Sequence, residues 1–408
     1  MDKVNIGVIG LGGRGQSMIG PLLKMDDVNV VAVCDKYADR VEETISDIVE
    51  HGKPKPAGTT DYMEVVTNPE VDAVYIASDW ATHVEIAIAA MENGVFASFE
   101  VGGAITLDDC FRLVDTYERT GTWAMMAENC CYDRREMMIT NMVRRGLFGK
   151  IVACAGKYAH DLRSEVAYGT KNRHYRLQNY LTRNCENYPT HELGPIAKLL
   201  DINRGNRFVS VQSICSGSFG MKDYVEKHKD LHDELLGRDF AQTDIVKTFI
   251  KTERGELIEL TLDTTLTRFY SRGFTVRGLK GMYQEDGDIL YFDKPSFTKH
   301  DFDKKHFYNR AARYQKKYDH PLWQETTEEM LRFGHGGMDW FIHRAFIEAV
   351  KNSTPPPIDV YDSAAWMSIA PLSEMSMSSG KAVEAPDFTK GKYKNRTDHA
   401  EGKYNIDR

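Results

Sequence analysis

The sequence has no long apolar run and no block of basic residues. No stretch of about 18 consecutive apolar residues occurs, the length that a membrane-spanning helix requires. The formal net charge is -8, whereas domains that bind nucleic acids usually carry an excess of clustered lysine and arginine. The sequence therefore argues against a membrane and against nucleic acid as partners.

An export signal and a disulfide pattern are also missing. The opening residues, "MDKVNIGVIG", begin a strand pattern almost at once and show no basic region, apolar core or cleavage site. The 7 cysteines are irregularly spaced and include no C-x-x-C pair. We therefore expect a cytoplasmic location and reduced thiols, without a disulfide framework.

The first part of the chain contains a regular alternation of strands and helices. Runs rich in β-branched and apolar residues cover residues 3–12, 28–35, 71–78, 95–101 and 122–129. Such alternation predicts parallel βαβ units, and continuous apolar runs are typical of strands buried on both faces. We predict an α/β fold in which residues 1–128 form a Rossmann-type, doubly wound parallel sheet.

The pattern changes after residue 128. A helix is expected over residues 133–149, followed by strand-like runs at 150–162, 207–217, 244–266 and 272–286. The segment "TERGE" inside the third run is typical of a hairpin turn. We therefore predict that residues 129–408 form an α+β domain with a large, open, mostly antiparallel sheet.

A glycine-rich turn closes the first predicted strand. In "GLGGRG", Gly10, Gly12 and Gly15 form the G-x-G-x-x-G pattern, and Asp35 follows 20 positions after Gly15. These glycines permit a tight turn, close approach of a pyrophosphate, and close helix–strand packing, in that order. The helix N-terminus adds free N–H groups and a positive dipole end. The pattern predicts a dinucleotide site; the alternative is a structural glycine turn in a generic doubly wound domain.

Asp35 decides which dinucleotide is expected, because its carboxylate would accept bonds from the ribose hydroxyls and repel a 2′-phosphate. NAD(H) is therefore favoured over NADP(H). Ligands of doubly wound sheets lie beyond the carboxyl ends of the strands. Trp80, His83, Glu100 and Asn129 follow predicted strands, so we expect them near the cofactor; packing alone remains an alternative for Trp80.

The stretch "ENYPTHELGPIAKLL" raises a separate question, because Tyr188 and His191 share a face of a helix predicted to begin at Pro189. They are either packing residues or an acid–base pair over a ligand. In "GHGGMDWF", His335 precedes Asp339 by four positions. A metal site normally needs three or four ligands, which the sequence does not assemble here. We therefore predict a backbone turn at residues 334–337 and no metal.

Long motifs in both domains resemble a known family. The chain resembles the Gfo/Idh/MocA oxidoreductases and, more narrowly, glycoside hydrolase family 109, whose members are NAD-dependent glycosidases with α-N-acetylgalactosaminidase as type activity. The resemblance covers nearly the whole chain and rests on these segments: "AENCCYDRREMMITNMVRRGLFGKI", "YAHDLR", "NYPTHELGP", "DINRGNRF", "YDHPLW", "GHGGMDWF" and "IDVYDSAAWMSIAPLSE". It implies a small glycoside or sugar as substrate and a homo-oligomer. The alternatives are a sugar or cyclitol dehydrogenase of the wider family and a non-catalytic regulator that binds NAD or a sugar.

One departure from the dehydrogenase pattern weakens that alternative. Sugar and inositol dehydrogenases of the wider family carry Glu-Lys-Pro after a Rossmann strand, and the lysine assists removal of a proton from the substrate hydroxyl. This chain has Glu100-Val101-Gly102 instead. Valine cannot exchange a proton, which favours the glycosidase branch. Residues 162–175 and 219–240 follow no recognised pattern, so the sugar remains open.

The resemblance also implies site residues in each domain. Those implied for NAD, beside Gly10, Gly12 and Gly15, are Gly13, Arg14, Asp35, Trp80 through His83, Glu100, Val101, Asn129 and Tyr188. Those implied for the sugar are Tyr158, Arg176, Tyr188, Pro189, Thr190, His191 and Tyr270.

The expected chemistry needs no pair of catalytic carboxylates. Oxidation at sugar C3 acidifies the C2 proton, the C1 aglycone leaves by elimination, water adds, and C3 is reduced again, so NAD is regenerated in each cycle. Histidine titrates near neutrality, and we expect His191 to act on the C3 hydroxyl with Tyr188 beside it. Tyr158 is the candidate for the C2 proton, and Tyr270 for binding or assisting the leaving group.

Overall fold

The computed structural model describes residues 2–293, 309–396 and 402–406. The chain divides into two units, of which one comprises Met1–Asp133, Pro321–Met367 and Arg396–Arg408, and the other Arg134–His320 and Ser368–Asn395. Each unit is described by itself. The domain boundary predicted between residues 128 and 129 stays a prediction. None of the helices in the described ranges has the length and apolarity needed to cross a lipid bilayer.

The first unit contains a six-stranded parallel sheet of order β3-β2-β1-β4-β5-β6. The strands are β1 (Val4–Ile9), β2 (Val28–Cys34), β3 (Ala57–Thr59), β4 (Ala73–Ile76), β5 (Phe96–Phe99) and β6 (Ala124–Met126). This is the strand order of a dinucleotide-binding Rossmann sheet, which confirms the predicted fold class. The order reverses between β1 and β4, the place where such sheets bind their ligands.

Helices connect these strands and complete the first unit. The helices of its N-terminal part are α1 (Gly13–Leu23), α2 (Ala38–Glu50), α3 (Tyr62–Val66), α4 (His83–Glu92) and α5 (Leu107–Thr120). Those of its later part are α12 (Pro321–Gln324), α13 (Glu328–Leu331), α14 (Met338–Asn352) and α15 (Val360–Met367). The ends of α5 are determined by residues at the ends themselves. Thr106 and Asp109 form a capping box at its start, and Gly121, with left-handed backbone, ends it.

The second unit contains a nine-stranded sheet of order β14-β13-β12-β11-β7-β10-β9-β8-β15. Its strands are β7 (Ile151–Ala159), β8 (Phe208–Cys215), β9 (Ile245–Thr252), β10 (Leu257–Asp263), β11 (Thr275–Gly278), β12 (Gly281–Gln284), β13 (Ile289–Phe292), β14 (Asn309–Arg310) and β15 (Val383–Glu384). Among the strands that the structure describes, only the neighbours β7 and β10 run parallel, so the predicted mostly antiparallel sheet is confirmed. β9 and β10 form the hairpin that "TERGE" predicts.

The helices of the second unit are α6 (Arg134–Arg144), α7 (Arg163–Tyr168), α8 (Arg176–Thr182), α9 (Thr190–Leu199), α10 (Gly220–Lys227), α11 (Gln315–Tyr318) and α16 (Ile369–Ser379). α9 lies close against β7 because Gly156 has no side chain. A Cβ at Gly156 would lie 2.9 Å from both the Cβ and the carbonyl oxygen of Glu192. Tyr158 points to the same face as Gly156, since residues two apart on a strand share a face. Pro189 was predicted as the first helical residue, but it is the N-cap of α9, so the helix begins one residue later, at Thr190.

This packing buries two carboxyl groups together. Glu186 is 0% exposed and Glu192 is 2% exposed. Glu192 Oε2 accepts the backbone N–H of Thr261 at 3.2 Å. Burial raises the pKa of Glu186 to about 8, and burial together with the charge of Glu186 raises the pKa of Glu192 well above its usual range. Two desolvated carboxyl groups cannot both ionise at neutral pH, so the pair retains a proton.

The pair predicts a loss of stability with rising pH. The folded state holds a proton that the unfolded chain releases near pH 4.3, so the free energy of unfolding falls as the pH rises from about 4.3 to about 8, by up to about 1.4 kcal/mol per pH unit for each proton retained. Glu192→Gln removes one titrating group and leaves an amide that can donate a hydrogen bond to Glu186. The free energy of unfolding of this variant should therefore fall less with rising pH than that of the parent protein. Urea unfolding followed by circular dichroism measures the difference.

Glu226→Gln is the matched control, because Glu226 is an exposed carboxylate on α10 of the same unit. It should follow the parent protein at every pH. A Glu192→Gln curve parallel to that of the parent would mean that the two buried carboxyl groups do not share a proton.

Candidate functional site

The glycine turn between β1 and α1 forms a cradle that side chains cannot enter. A Cβ at Gly10, where φ is +93°, would lie 2.4 Å from the backbone of Ala77. A Cβ at Gly15 would lie 1.9 Å from the carbonyl oxygen of Gly10. Gly13 has open space around it. The backbone is therefore tightly packed at Gly10 and Gly15 and open at Gly13, as the binding of a dinucleotide requires.

The start of α1 also fits an anionic ligand. Its N-cap, Gly12, provides no side-chain cap, and its first turn contains no acidic residue. Backbone N–H groups at such a helix start are available to oxygens of a phosphate, and the helix dipole favours negative charge there. The residues present thus fit the pyrophosphate of a nicotinamide dinucleotide.

Asp35 lies at the end of β2, beside this turn. Its carboxylate accepts the backbone N–H of Leu11 at 2.7 Å and that of Tyr37 at 3.0 Å. Arg40 Nη1 lies 3.5 Å from Asp35 Oδ2. The backbone bonds fix the carboxylate at the strand end, where the ribose of a dinucleotide is held in this fold.

Trp80 closes over the loop where the dehydrogenases carry lysine and proline. Its indole Nε1–H donates to the carbonyl oxygen of Val101 at 3.2 Å, and a Cβ at Gly102 would lie 2.4 Å from the indole ring. The ring packs on this loop, as the packing alternative supposed; cofactor contact stays a prediction. His83 is buried, bonds the Ser78 carbonyl at 2.9 Å, and has its pKa lowered by burial.

Asp339 joins several of the predicted cofactor residues. Its carboxylate accepts two bonds from Arg14, at 2.7 and 3.0 Å, and one from the amide of Asn129 at 2.7 Å. His335 Nδ1 lies 3.0 Å from the same carboxylate. Arg14 Nε donates to Glu100 at 2.9 Å. Three residues predicted separately around the cofactor thus form one network, which we call the Asp339 network: Arg14, Glu100, Asn129, His335 and Asp339.

The electrostatics of the Asp339 network keep it charged. Burial alone would raise the pKa of Asp339, but hydrogen bonds from His335 and Arg14 hold it far below its usual range. The guanidinium of Arg14 donates two hydrogen bonds to the carboxylate of Asp339, and such a bidentate pair fixes the orientation of the guanidinium plane. The predicted turn at residues 334–337 is present, with left-handed backbone at His335, Gly336 and Gly337. The four-residue spacing of His335 and Asp339 is visible in the sequence, but the contacts of Asp339 with Arg14 and Asn129 are not.

A cluster of three rings occupies the second unit between β7 and α9. The ring of Tyr158 lies 4.5 Å from that of Tyr188 and 5.7 Å from that of His191, measured between centroids. The rings of Tyr188 and His191 are 4.9 Å apart. The structure therefore brings Tyr188 and His191 together as their spacing predicts, and adds Tyr158 from the facing strand.

Arg176 on α8 borders the same cluster. Its guanidinium carbon lies 4.9 Å from the ring centroid of Tyr188, and its Nε pairs with Glu165 at 2.8 Å. Burial raises the pKa of Tyr158 to about 12, although Arg176 acts in the opposite direction. Tyr158 is therefore a phenol at neutral pH, and Arg176 is the group that would stabilise its ionised form. Thr190 is fully buried at the start of α9.

A second set of rings leads outward from Tyr158. His160 follows β7, with its ring 6.0 Å from Tyr158 and 5.3 Å from Tyr270. Tyr270 is 48% exposed, so it lies at the outer end of the series. His160 was not predicted as a site residue, although its two-residue spacing from Tyr158 places both side chains on one face of the strand.

The Asp339 network predicts a cofactor-binding defect. Asp339→Asn removes the charge that orients Arg14 and Asn129, so the affinity for NAD should fall about 10- to 100-fold, because a hydrogen bond to a charged group contributes about 1.5–3 kcal/mol. Titration of cofactor-free protein with NAD, followed by calorimetry, measures this.

Asp27→Asn is the control, because Asp27 pairs with Arg344 and Lys351 of the same helix α14 but is not part of the network. It should lower the melting temperature and leave the NAD affinity unchanged. Equal NAD affinities of the Asp339→Asn variant and the parent protein would contradict the positioning role.

Comparisons with solved structures support the fold. A levoglucosan dehydrogenase, solved with NADH and L-sorbose, superposes with a TM-score of 0.71 at 18% identity, covering 95% of this chain and 100% of that chain. A myo-inositol 2-dehydrogenase from Lactobacillus plantarum gives a TM-score of 0.66 at 16% identity, covering 94% and 100%. At such identities the likeness shows the fold alone.

Sequence comparisons are more specific. The family model "Glycosyl hydrolase 109, C-terminal domain" matches residues 132–395, and "Oxidoreductase family, NAD-binding Rossmann fold" matches residues 4–128. The alpha-N-acetylgalactosaminidase of Tannerella forsythia is 37% identical, with 96% of this chain and 88% of the relative covered. A glycosyl hydrolase family 109 protein of Parabacteroides distasonis is also 37% identical, with 97% and 88% covered. The first unit therefore belongs to a nicotinamide-binding class, and the chain belongs to the glycosyl hydrolase 109 family, as its motifs predicted.

Proposed function

We propose that the protein is an NAD-dependent glycosidase that cleaves α-N-acetylgalactosaminides. The observation that supports the proposal is the cluster of Tyr158, Tyr188 and His191, in which two phenols and an imidazole lie together in the second unit, while Val101 stands where dehydrogenases have a lysine. The named activity of the Tannerella forsythia relative supports the choice of sugar.

NAD(H) is the proposed form of the cofactor. Asp35, held by two backbone N–H groups, favours ribose hydroxyls and disfavours a 2′-phosphate. All of the predicted cofactor residues except Tyr188, which belongs to the second unit, belong to the first unit: Gly10, Gly12, Gly13, Arg14, Gly15, Asp35, Trp80, His83, Glu100, Val101 and Asn129. When bound, the nicotinamide supplies reversible hydride transfer at sugar C3.

His191 and Tyr188 are assigned to the C3 hydroxyl. An imidazole exchanges protons near neutral pH, so His191 takes the hydroxyl proton as the ketone forms and returns it when C3 is reduced. Tyr188, whose ring meets that of His191 edge to face, donates its hydroxyl to the same oxygen. Pro189 and Thr190 set the start of α9 and thereby the direction of the His191 side chain.

Tyr158 is assigned to the C2 proton. Since its pKa is raised to about 12, it needs Arg176 nearby to stabilise the phenolate that removes this proton. The ketone at C3 makes the C2 proton acidic enough for such a base. Tyr270 stands on the outer side, where its hydroxyl can assist the departing aglycone oxygen. The net reaction breaks the glycosidic C–O bond and consumes one water.

Solvent isotope incorporation tests the elimination. In D2O, the N-acetylgalactosamine released from p-nitrophenyl α-N-acetylgalactosaminide should carry deuterium at C2, because the proton that Tyr158 removes exchanges before it returns. Mass spectrometry and NMR of the product read the label. Fully protonated C2 during turnover would rule the elimination out, and stoichiometric release of NADH on adding free sugar would favour a dehydrogenase.

Substitution of His191 tests the assigned base. His191→Asn should lower kcat about 10²- to 10⁴-fold, the usual contribution of a general base, and should leave NAD affinity near that of the parent protein. His228→Asn serves as control, because His228 is an exposed histidine at the end of α10. Retained turnover in the His191→Asn protein would remove His191 from the mechanism.

A further inference from the structure

A histidine stands in a left-handed backbone turn just before α14. His335 has φ +55°, and Gly336 and Gly337 follow it with φ of +66° and +100°. A residue with a side chain is strained in this region, whereas glycine adopts it readily. The backbone at position 335 thus favours glycine, and the presence of an imidazole needs an explanation in its contacts. His335 is not among the cofactor residues that the sequence or the family resemblance implies.

The bond to Asp339 determines which edge of this imidazole is accessible. Nδ1 of His335 lies 3.0 Å from Oδ2 of Asp339, and the pKa of Asp339 is held far below its usual range, so the carboxylate can only accept. Nδ1 therefore carries a proton, and Nε2 of the neutral ring is an acceptor. Within the described ranges of the chain Nε2 has no hydrogen-bond partner, and the side chain is 48% exposed. One edge of the ring is held, and the other is accessible to a ligand.

The strand order relates this imidazole to one half of the dinucleotide site in the first unit. Asp35, expected at the adenosine ribose, follows β2, whereas Glu100 follows β5 and Asn129 follows β6. In the order β3-β2-β1-β4-β5-β6, the ends of β2 and β5 are three strand spacings apart, about 14 Å. The two halves of such a sheet bind the two halves of a dinucleotide. The amide of Asn129 donates to Asp339 at 2.7 Å, so Asp339 and His335 lie on the nicotinamide side.

The charges around His335 suit a hydroxyl group better than a phosphate. Hydrogen bonds join two carboxylates, of Glu100 and Asp339, to a single guanidinium, that of Arg14. With a neutral imidazole the Asp339 network has an excess of one negative charge, which repels a phosphate. The phosphates belong instead at the start of α1, whose first turn contains no acidic residue. A ribose hydroxyl is neutral and can donate to Nε2 of His335.

The loop after β5 offers little else to a ribose on this side. Val101 has an apolar side chain. Oε1 of Glu100 accepts from Arg14 at 2.9 Å and from the hydroxyl of Tyr75, and its Oε2 accepts the backbone N–H of Val101 at 3.3 Å. Glu100 thus holds Arg14 and the loop, whereas Nε2 of His335 is an acceptor that these internal bonds leave for a ligand.

We propose that His335 binds the nicotinamide-side ribose of NAD, with Nε2 accepting a hydrogen bond from a ribose hydroxyl while Asp339 holds Nδ1. This deepens the proposed function and rests on its choice of cofactor. The contact holds the reactive half of the dinucleotide in place, as a cofactor that is oxidised and reduced again in every cycle requires. It also explains why an imidazole occupies a turn whose backbone favours glycine.

Binding of two cofactor fragments to cofactor-free protein tests this contact. ADP-ribose contains the second ribose, whereas ADP lacks it. His335→Gly should lower the affinity for ADP-ribose about 3- to 10-fold, the scale of one neutral hydrogen bond, and should leave the affinity for ADP unchanged. Glycine suits φ +55°, so this variant keeps the turn. Titration calorimetry measures both affinities, and added imidazole should restore part of the lost ADP-ribose affinity.

Ser353→Gly is the matched control, because Ser353 is an exposed residue with φ +51° at the other end of α14. It relieves the same kind of backbone strain in the same unit and should leave both affinities unchanged.

Two results would overturn the ribose contact while the proposed function stands. One is an ADP-ribose affinity of His335→Gly equal to that of the parent protein. The other is an equal loss for ADP and ADP-ribose, which would mean that His335 acts on the phosphates or only through Arg14. A parent protein that binds neither fragment would reject the proposed cofactor, and the contact of His335 with it.

Discussion

The close approach of α9 to β7 at Gly156 is the constraint on which the acid–base cluster depends. Only a residue without a side chain lets the backbone of Glu192 come this near, and the contact sets Tyr188 and His191 against Tyr158. The same approach buries Glu192, which lies next to the buried Glu186, and a proton retained by the pair compensates for the burial of both carboxyl groups. The positions of the three rings and the burial of Glu192 thus both follow from the absence of a side chain at Gly156.

The first unit shows how a remote residue can organise a local motif. The glycine turn is fixed by its own backbone, but the direction of Arg14 is set by Asp339, which follows it by more than three hundred residues. At Val101 the unit has lost the lysine of the dehydrogenases, and Trp80 packs on the loop instead. Under the proposed function, proton transfer is assigned instead to His191 and Tyr158 of the second unit.

The features predictable from the sequence were local ones. The turn at Gly10 to Gly15, the apolar strands, and the three-residue spacing of Tyr188 and His191 each follow from conformational rules within a few residues. The Asp339 network and the pair of Glu186 and Glu192 were not predictable, because they depend on contacts that only the folded chain creates. The spacing of His335 and Asp339 is visible in the sequence, but nothing near these residues indicates that Asp339 pairs with Arg14.

In the proposed mechanism, cleavage requires oxidation at sugar C3, and Tyr158, Tyr188 and His191 transfer the protons. A 3-deoxy analogue of p-nitrophenyl α-N-acetylgalactosaminide tests this most directly, because it has no hydroxyl to oxidise and keeps the scissile bond. We predict that it binds as a competitive inhibitor and releases no nitrophenol, while the 4-deoxy analogue is cleaved. Release of nitrophenol from the 3-deoxy analogue at a rate near that of the parent glycoside would contradict the mechanism.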